Sequence, residues 1–211
     1  GEHSLLNDQG SSYGPAFDGS PIEYYDGSVI PYAAVENNFR KAYETGFNSN
    51  TNVAISGGND KTTFYTSLSY KHAKGTLPNN TFDRLSFLGK ASHMITSKVK
   101  LEASMSFANS MPRNPQRNIG ENFASGVWGR SYDPSTAKNK YMGEHGGLAS
   151  TAYGDKWGNM PGADTWWVIY ENEYTQKETS VRPTVKLNVD LLDWLKFYVE
   201  GNYNYYYTRQ E

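Results

Sequence analysis

The sequence predicts an all-β fold: an antiparallel transmembrane β-barrel segment, about six strands of a larger barrel, with long extracellular loops. Three features point there. Apolar and polar residues alternate with period two, the alternating runs are long, and short connections take turns with long ones. The expected strands cover residues 49–57, 62–74, 82–93, 99–110, 180–191 and 195–209. Several reach the roughly 9–11 residues that cross a bilayer when tilted, whereas soluble strands cluster near five or six.

The alternation is clearest toward the C-terminus. Val181, Val185, Leu187, Val189 and Leu191 alternate with Arg182, Thr184, Lys186, Asn188 and Asp190. Beyond Leu192-Asp193-Trp194 the pattern resumes, with Leu195, Phe197, Val199, Gly201, Tyr203, Tyr205 and Tyr207 on one face. Lys196, Glu200, Asn202, Asn204 and Thr208 fall on the other, with Tyr198 and Tyr206 among them. Earlier, Val99, Leu101, Ala103, Met105 and Phe107 alternate with Lys100, Glu102, Ser104 and Ser106. Phe64, Leu68 and Tyr70 alternate with Ser67, Ser69 and Lys71. Leu85, Phe87 and Ala91 do the same, although Leu88 breaks the pattern, and Val53 and Ile55 alternate with Asn52 and Ser56.

Every second connection is tight. Gly57-Gly58-Asn59-Asp60 reads as a hairpin turn through residues that tolerate positive φ. Thr96-Ser97-Lys98 and Leu192-Asp193-Trp194 read as two more. The others are longer: Gly75–Asn80, and a stretch from Met111 to about Thr179. Short turns at one end and long loops at the other suit an outer-membrane barrel. The expected organisation is a loop region with a short helix (residues 1–48), four strands (49–110), a long extracellular loop (111–179) and two strands (180–211). The helix is expected over Asn38–Glu44, with Phe39, Ala42 and Tyr43 on one face and Gly46 ending it. Six strands do not close a membrane barrel, whose smallest members have about eight. The chain starts without Met and stops inside a strand pattern, so a larger polypeptide is expected. The same alternation also suits a soluble β-sandwich that binds carbohydrate through loop aromatics. A passive porin is a third alternative.

Composition narrows the function. Net charge is −2 with no basic patch, so no nucleic-acid partner is expected. There is no cysteine, hence no disulfide framework and no thiolate metal site. No nucleophile–base pair or phosphate loop is readable, and the chain is expected to be neither an enzyme nor a cofactor carrier. His3, His72, His93 and His145 lack metal-ligand spacing. Asp18, Glu23 and Asp26 lack the EF-hand pattern, so no metal is expected. Glu171 and Glu173 fall on one strand-like face and read as surface charge. The Asn79-Asn80-Thr81 sequon carries little weight in an outer-membrane barrel.

In order along the chain, several segments are similar to one family. Tyr13-Gly14-Pro15-Ala16-Phe17-Asp18-Gly19, Asn37-Asn38-Phe39 and Thr45-Gly46-Phe47 carry the first resemblance. The stretch from Asn52 through Gly57-Gly58-Asn59-Asp60 to Tyr65 carries the next. Lys74-Gly75-Thr76-Leu77-Pro78-Asn79 follows, then Trp166-Trp167-Val168-Ile169-Tyr170-Glu171-Asn172 before a strand, and Leu192-Asp193-Trp194-Leu195 at a periplasmic turn. These resemble the SusC/RagA family of TonB-dependent outer-membrane transporters. The resemblance implies an early stretch of a roughly 22-stranded barrel. It also implies a plug and TonB box not in this chain, TonB itself, a SusD-like surface lipoprotein as lid, and a glycan or peptide substrate.

Under that reading Lys186, Asn188, Glu200 and Asn202 face the lumen. Val185, Leu187, Val189, Phe197, Val199, Tyr203 and Tyr205 face outer-membrane lipid, with the late tyrosines as an interfacial girdle. Replacing Leu187 by Arg is expected to cost roughly 2–4 kcal/mol near mid-bilayer. The aromatics of the long loop, Trp128, Trp157, Trp166, Trp167 and Tyr170, are candidates for contact with substrate or lid. Packing into a small core of the loop's own is the competing reading.

Overall fold

The computed structural model describes residues 15–113 and 118–211. Tyr13, Gly14 and His3 lie outside the described residues. The chain divides into two units.

The sheet unit holds residues 46–74, 80–113 and 174–211. Its strands are β3 (Phe47–Gly58), β4 (Thr62–Lys74), β5 (Thr81–Thr96), β6 (Val99–Arg113), β7 (Gln176–Leu192), β8 (Leu195–Asn202) and β9 (Tyr205–Gln210). They pair antiparallel in chain order from β3 to β8, and β9 pairs with β7. β6 and β7 run beyond their expected ends, to Arg113 and back to Gln176. The connection between them therefore covers 114–175 rather than 111–179. All the described strands of the unit belong to this one sheet.

One expected strand, 195–209, is split. β8 pairs with Thr184–Leu192 of β7 and β9 with Gln176–Val181, so they are one course with a gap opposite Pro183. Proline supplies no N–H to a ladder. The Tyr203 N–H still donates to the Pro183 carbonyl at 3.1 Å, but nothing returns.

The first turn forms by a different device from the one expected. None of Gly57, Gly58 and Asn59 has a positive φ. Asn59 Oδ1 instead accepts from the backbone N–H of Lys61 (3.0 Å) and Thr62 (2.9 Å), an Asx arrangement. Gly58 is needed for close approach, because a Cβ there would run into the backbone of Thr62 and Thr63. The turns after Thr96 and Leu192 are two residues long, each with a register shift beside it.

Register fixes the faces. Residues opposite one another in a ladder share a side. One row reads Val53, Leu68, Phe87, Phe107, Val181 and Tyr205. Four residues toward the turns, Phe64, Ala91, Ala103, Val185 and Gly201 align. This apolar side is uncovered: Val53 is 62% exposed, Val185 53% and Val199 55%. The other side carries Ser67, Ser86, Ser106, Ser180, Lys186, Glu102 and Glu200, with Leu88, Phe82 and Met94 among its apolar exceptions.

The second unit holds described residues 15–45, 75–79 and 118–173. Its described residues contain a hairpin of β1 (Pro21–Glu23) and β2 (Val29–Pro31), a 3₁₀ turn (Thr151–Tyr153) and four short α-helices: α1 (Asn38–Lys41), α2 (Ile119–Ala124), α3 (Pro134–Ala137) and α4 (Ala163–Tyr170). The expected first helix stops early. Ala42 and Tyr43 donate to Phe39 and Arg40 in 3₁₀ fashion, and the Glu44 N–H leaves for the Thr76 carbonyl at 2.7 Å. Gly46 is not its cap. The Trp166–Tyr170 run is helical, and Glu171 caps it, so Glu171 and Glu173 do not share a strand face.

Nearly all of the buried hydrophobic core lies in this unit. Ile22, Tyr24, Ala42, Ile119, Trp128, Tyr132, Met160, Trp166 and Ile169 form one cluster. α2 and α3 start on side-chain caps, Asn118 accepting from Gly120 N–H and Asp133 from Ser135 N–H.

Candidate functional site

The polar side of the sheet is the candidate functional surface. Hollows lie on it, so this side is concave there. One, of about 480 Å³, is lined by Thr63, Tyr65, Lys90, Lys100, Glu102, Lys186 and Glu200 among others. A second, of about 350 Å³, is lined by Ser67, Ser69, Ser86, Ser106 and Ser180 with Arg84 and Arg182.

Polar alternation on five neighbouring strands builds this surface, and cross-strand pairing organises it. Glu102 on β6 accepts from Lys100 at 2.5 Å and from the Asn188 amide on β7 at 2.9 Å. Lys186 sits 3.8 Å from Glu200 directly across on β8, and its ammonium lies 4.4 Å from the centre of the Tyr198 ring. Asn202 is opposite Thr184. The four residues read from sequence as lumen-facing thus share one side. Sequence reasoning did not single out Glu102, Lys90, Arg84 or Arg182. Their alternation was visible, but only register joins Glu102 to Asn188.

The apolar side carries Val185, Leu187, Val189, Phe197, Val199, Tyr203 and Tyr205 together. Val185 is midway between Val181 and Val189, so the centre of the band is Val185 and not Leu187. Those eight residue steps span about 26 Å along the strand, or about 20 Å at a tilt near 40°. At the turn end Thr62 bonds His93 at 2.7 Å. At the other end Tyr70 and His72 both bond Asp83, at 2.6 and 2.8 Å, and Asn109 bonds Thr179 at 2.9 Å.

The loop aromatics fall into two groups. Trp128 and Trp166 are 2% and 0% exposed and stack on each other at 5.2 Å and 10°. They are core residues rather than contact residues. The Trp166 indole N–H donates to the Tyr132 hydroxyl (2.9 Å) and the Trp128 N–H to the Pro161 carbonyl (3.0 Å). Burial pushes the Tyr132 phenol well above its ordinary range, against the opposing bond from Trp166. Trp157, Trp167 and Tyr170 are half-buried. Trp157 donates to the Met142 carbonyl at 2.9 Å. Trp167 and Tyr170 flank Tyr141, whose hydroxyl donates to Glu171 at 2.8 Å. Burial and the Glu171 carboxylate push Tyr141 up to about 12.

Asp26, weighed as a calcium ligand, is engaged by Lys140 and by the Ser28 hydroxyl and amide. Burial alone would raise its carboxyl. Those partners outweigh it and hold the group at about 2. Among the described residues no three His, Asp or Glu side chains gather as a metal site.

No protein-family model and no curated protein matches the sequence. A solved structure, the RagAB peptide importer in its closed-closed state, is similar in fold. The match has a TM-score of 0.59 and 18% identity, and it covers 82% of this chain and 19% of that one. The chain therefore spans about a fifth of the length of the protein it matches.

Proposed function

We propose that this chain forms part of the barrel wall and outer loops of a TonB-dependent outer-membrane importer. Its apolar sheet face meets lipid and its polar face lines the passage. The observation that carries this reading is the uncovered apolar face, built from every strand of a long-stranded antiparallel sheet while the opposite face is polar and hollowed. In water such a face would be an association surface. In a bilayer it is the outside of a barrel.

The fold likeness to a stretch of a peptide importer supports an importer. The resemblance of the sequence motifs supports a SusD-like lipoprotein lid, and TonB acting through a plug carried elsewhere in the polypeptide. Substrate, a glycan or a peptide, is captured on the long-loop side and passes along the polar face. The serine hydroxyls and the Lys186–Glu200 and Lys100–Glu102 pairs offer hydrogen bonds there. The chain acts as a wall and not as an enzyme.

The test is solution behaviour. The intact polypeptide should fractionate with the outer membrane and stay monodisperse only in detergent. Monodispersity without detergent would overturn the proposal.

A further inference from the structure

We propose that the loop-side rim of the apolar face binds the phosphate headgroups of outer-leaflet lipid. This rests on the reading of that face as lipid-facing. Charge is distributed unequally along it. From the row of Tyr70 and Tyr207 down to the turns, the apolar side of β3–β9 carries no Lys, Arg, Asp or Glu. In the two rows beyond, toward the long loops, it carries Lys74, Arg113, Lys177 and Arg209 against Asp83 and Glu211. Four basic against two acidic side chains leave this rim at +2.

Lys177 and Arg209 lie directly opposite one another on β7 and β9. They share one carboxylate, Glu211, at 3.5 and 2.7 Å, and their side chains are 45% and 61% exposed. Exposed pairs of this kind contribute little and exchange readily. A phosphate offers more acceptor oxygens and matches the arginine fork. Tyr207 sits one position below Arg209 on the same side, at the level where tyrosines meet headgroups. The long stems of Lys177 and Arg209 then reach outward past it to the phosphate layer. The opposite end of the face, bounded by Thr62 and His93, has no such cations.

The intact polypeptide in nanodiscs of zwitterionic lipid is offered lipid A bearing two phosphates, or the same lipid after phosphatase treatment. Native mass spectrometry then counts retained lipid. The phosphorylated form should be retained preferentially. Each charge near an anionic lipid surface corresponds to about a fivefold effect on affinity, so Lys177→Gln with Arg209→Gln should lower affinity about 25-fold. Arg209→Gln alone should lower it about fivefold, and Lys61→Gln, in the turn at the other end, should leave it unchanged. Equal retention of both lipids, or no loss in the rim variants, would overturn the rim while leaving the membrane reading intact. A protein that is monodisperse without detergent and takes neither lipid would overturn both.

Discussion

Tyr203 donates its backbone N–H to the carbonyl of Pro183 at 3.1 Å and receives nothing in return. A strand residue's N–H and C=O point to the same neighbour, so a residue with an N–H at 183 would close the pair. Pro183 leaves it open, and β8 and β9 part there.

Pro183→Val should therefore join the two strands. Slower hydrogen exchange at Tyr203 and Tyr205, whose N–H groups face β7, is expected. The gained bond contributes about 0.5–1.5 kcal/mol, and lost proline restriction removes about 0.4–1, so overall stability should barely move. Unchanged exchange would mean that the gap has another cause.

The aromatic core of the loop unit should respond to a single atom. Tyr132→Phe leaves the buried Trp166 indole N–H without its acceptor and should cost about 1–3 kcal/mol. Trp166→Ala should cost about 3–5 kcal/mol. Tryptophan fluorescence and limited proteolysis within 118–173 read out both.

Gly162 opens α4 at a φ of 71°, and a Cβ there would collide with the Trp128 indole. Gly162→Ala should destabilise the unit well beyond the roughly 1 kcal/mol of left-handed strain. Gly154→Ala, with a φ of 75° and open space around it, should cost only that strain. Equal melting shifts for the two variants would contradict the packing described.

Acid should weaken the same unit through Asp26. Its folded carboxyl sits at about 2, below the ordinary value of 3.8. A depressed carboxyl contributes stability that is complete above the ordinary value and lost as pH falls toward the folded one. The loss should fall between about pH 5 and pH 2 and amount to about 1–2 kcal/mol. Asp26→Asn should flatten that part of the profile in denaturant titrations.

The two faces and the tight turns were legible because a period of two and the Gly, Asn and Asp clusters are local signals. The α4 helix was not. Trp166, Trp167, Val168, Ile169 and Tyr170 are apolar or aromatic all round, and such a run suits strand and buried helix equally. Nor was the core, since Ile22, Ala42, Trp128 and Ile169 come from distant segments. Pro183 was in plain view, but its effect depends on which residue lies opposite.

The central claim is that Val185 and its row meet lipid while the adjacent Thr184 faces a polar passage. Denaturant unfolding from lipid bilayers of the Val185→Arg and Thr184→Arg variants tests it most directly. The account predicts a cost of about 2–4 kcal/mol at Val185, less at Leu187, and near neutrality at Thr184. Equal costs at 184 and 185, or tolerance of Arg at 185, would contradict it.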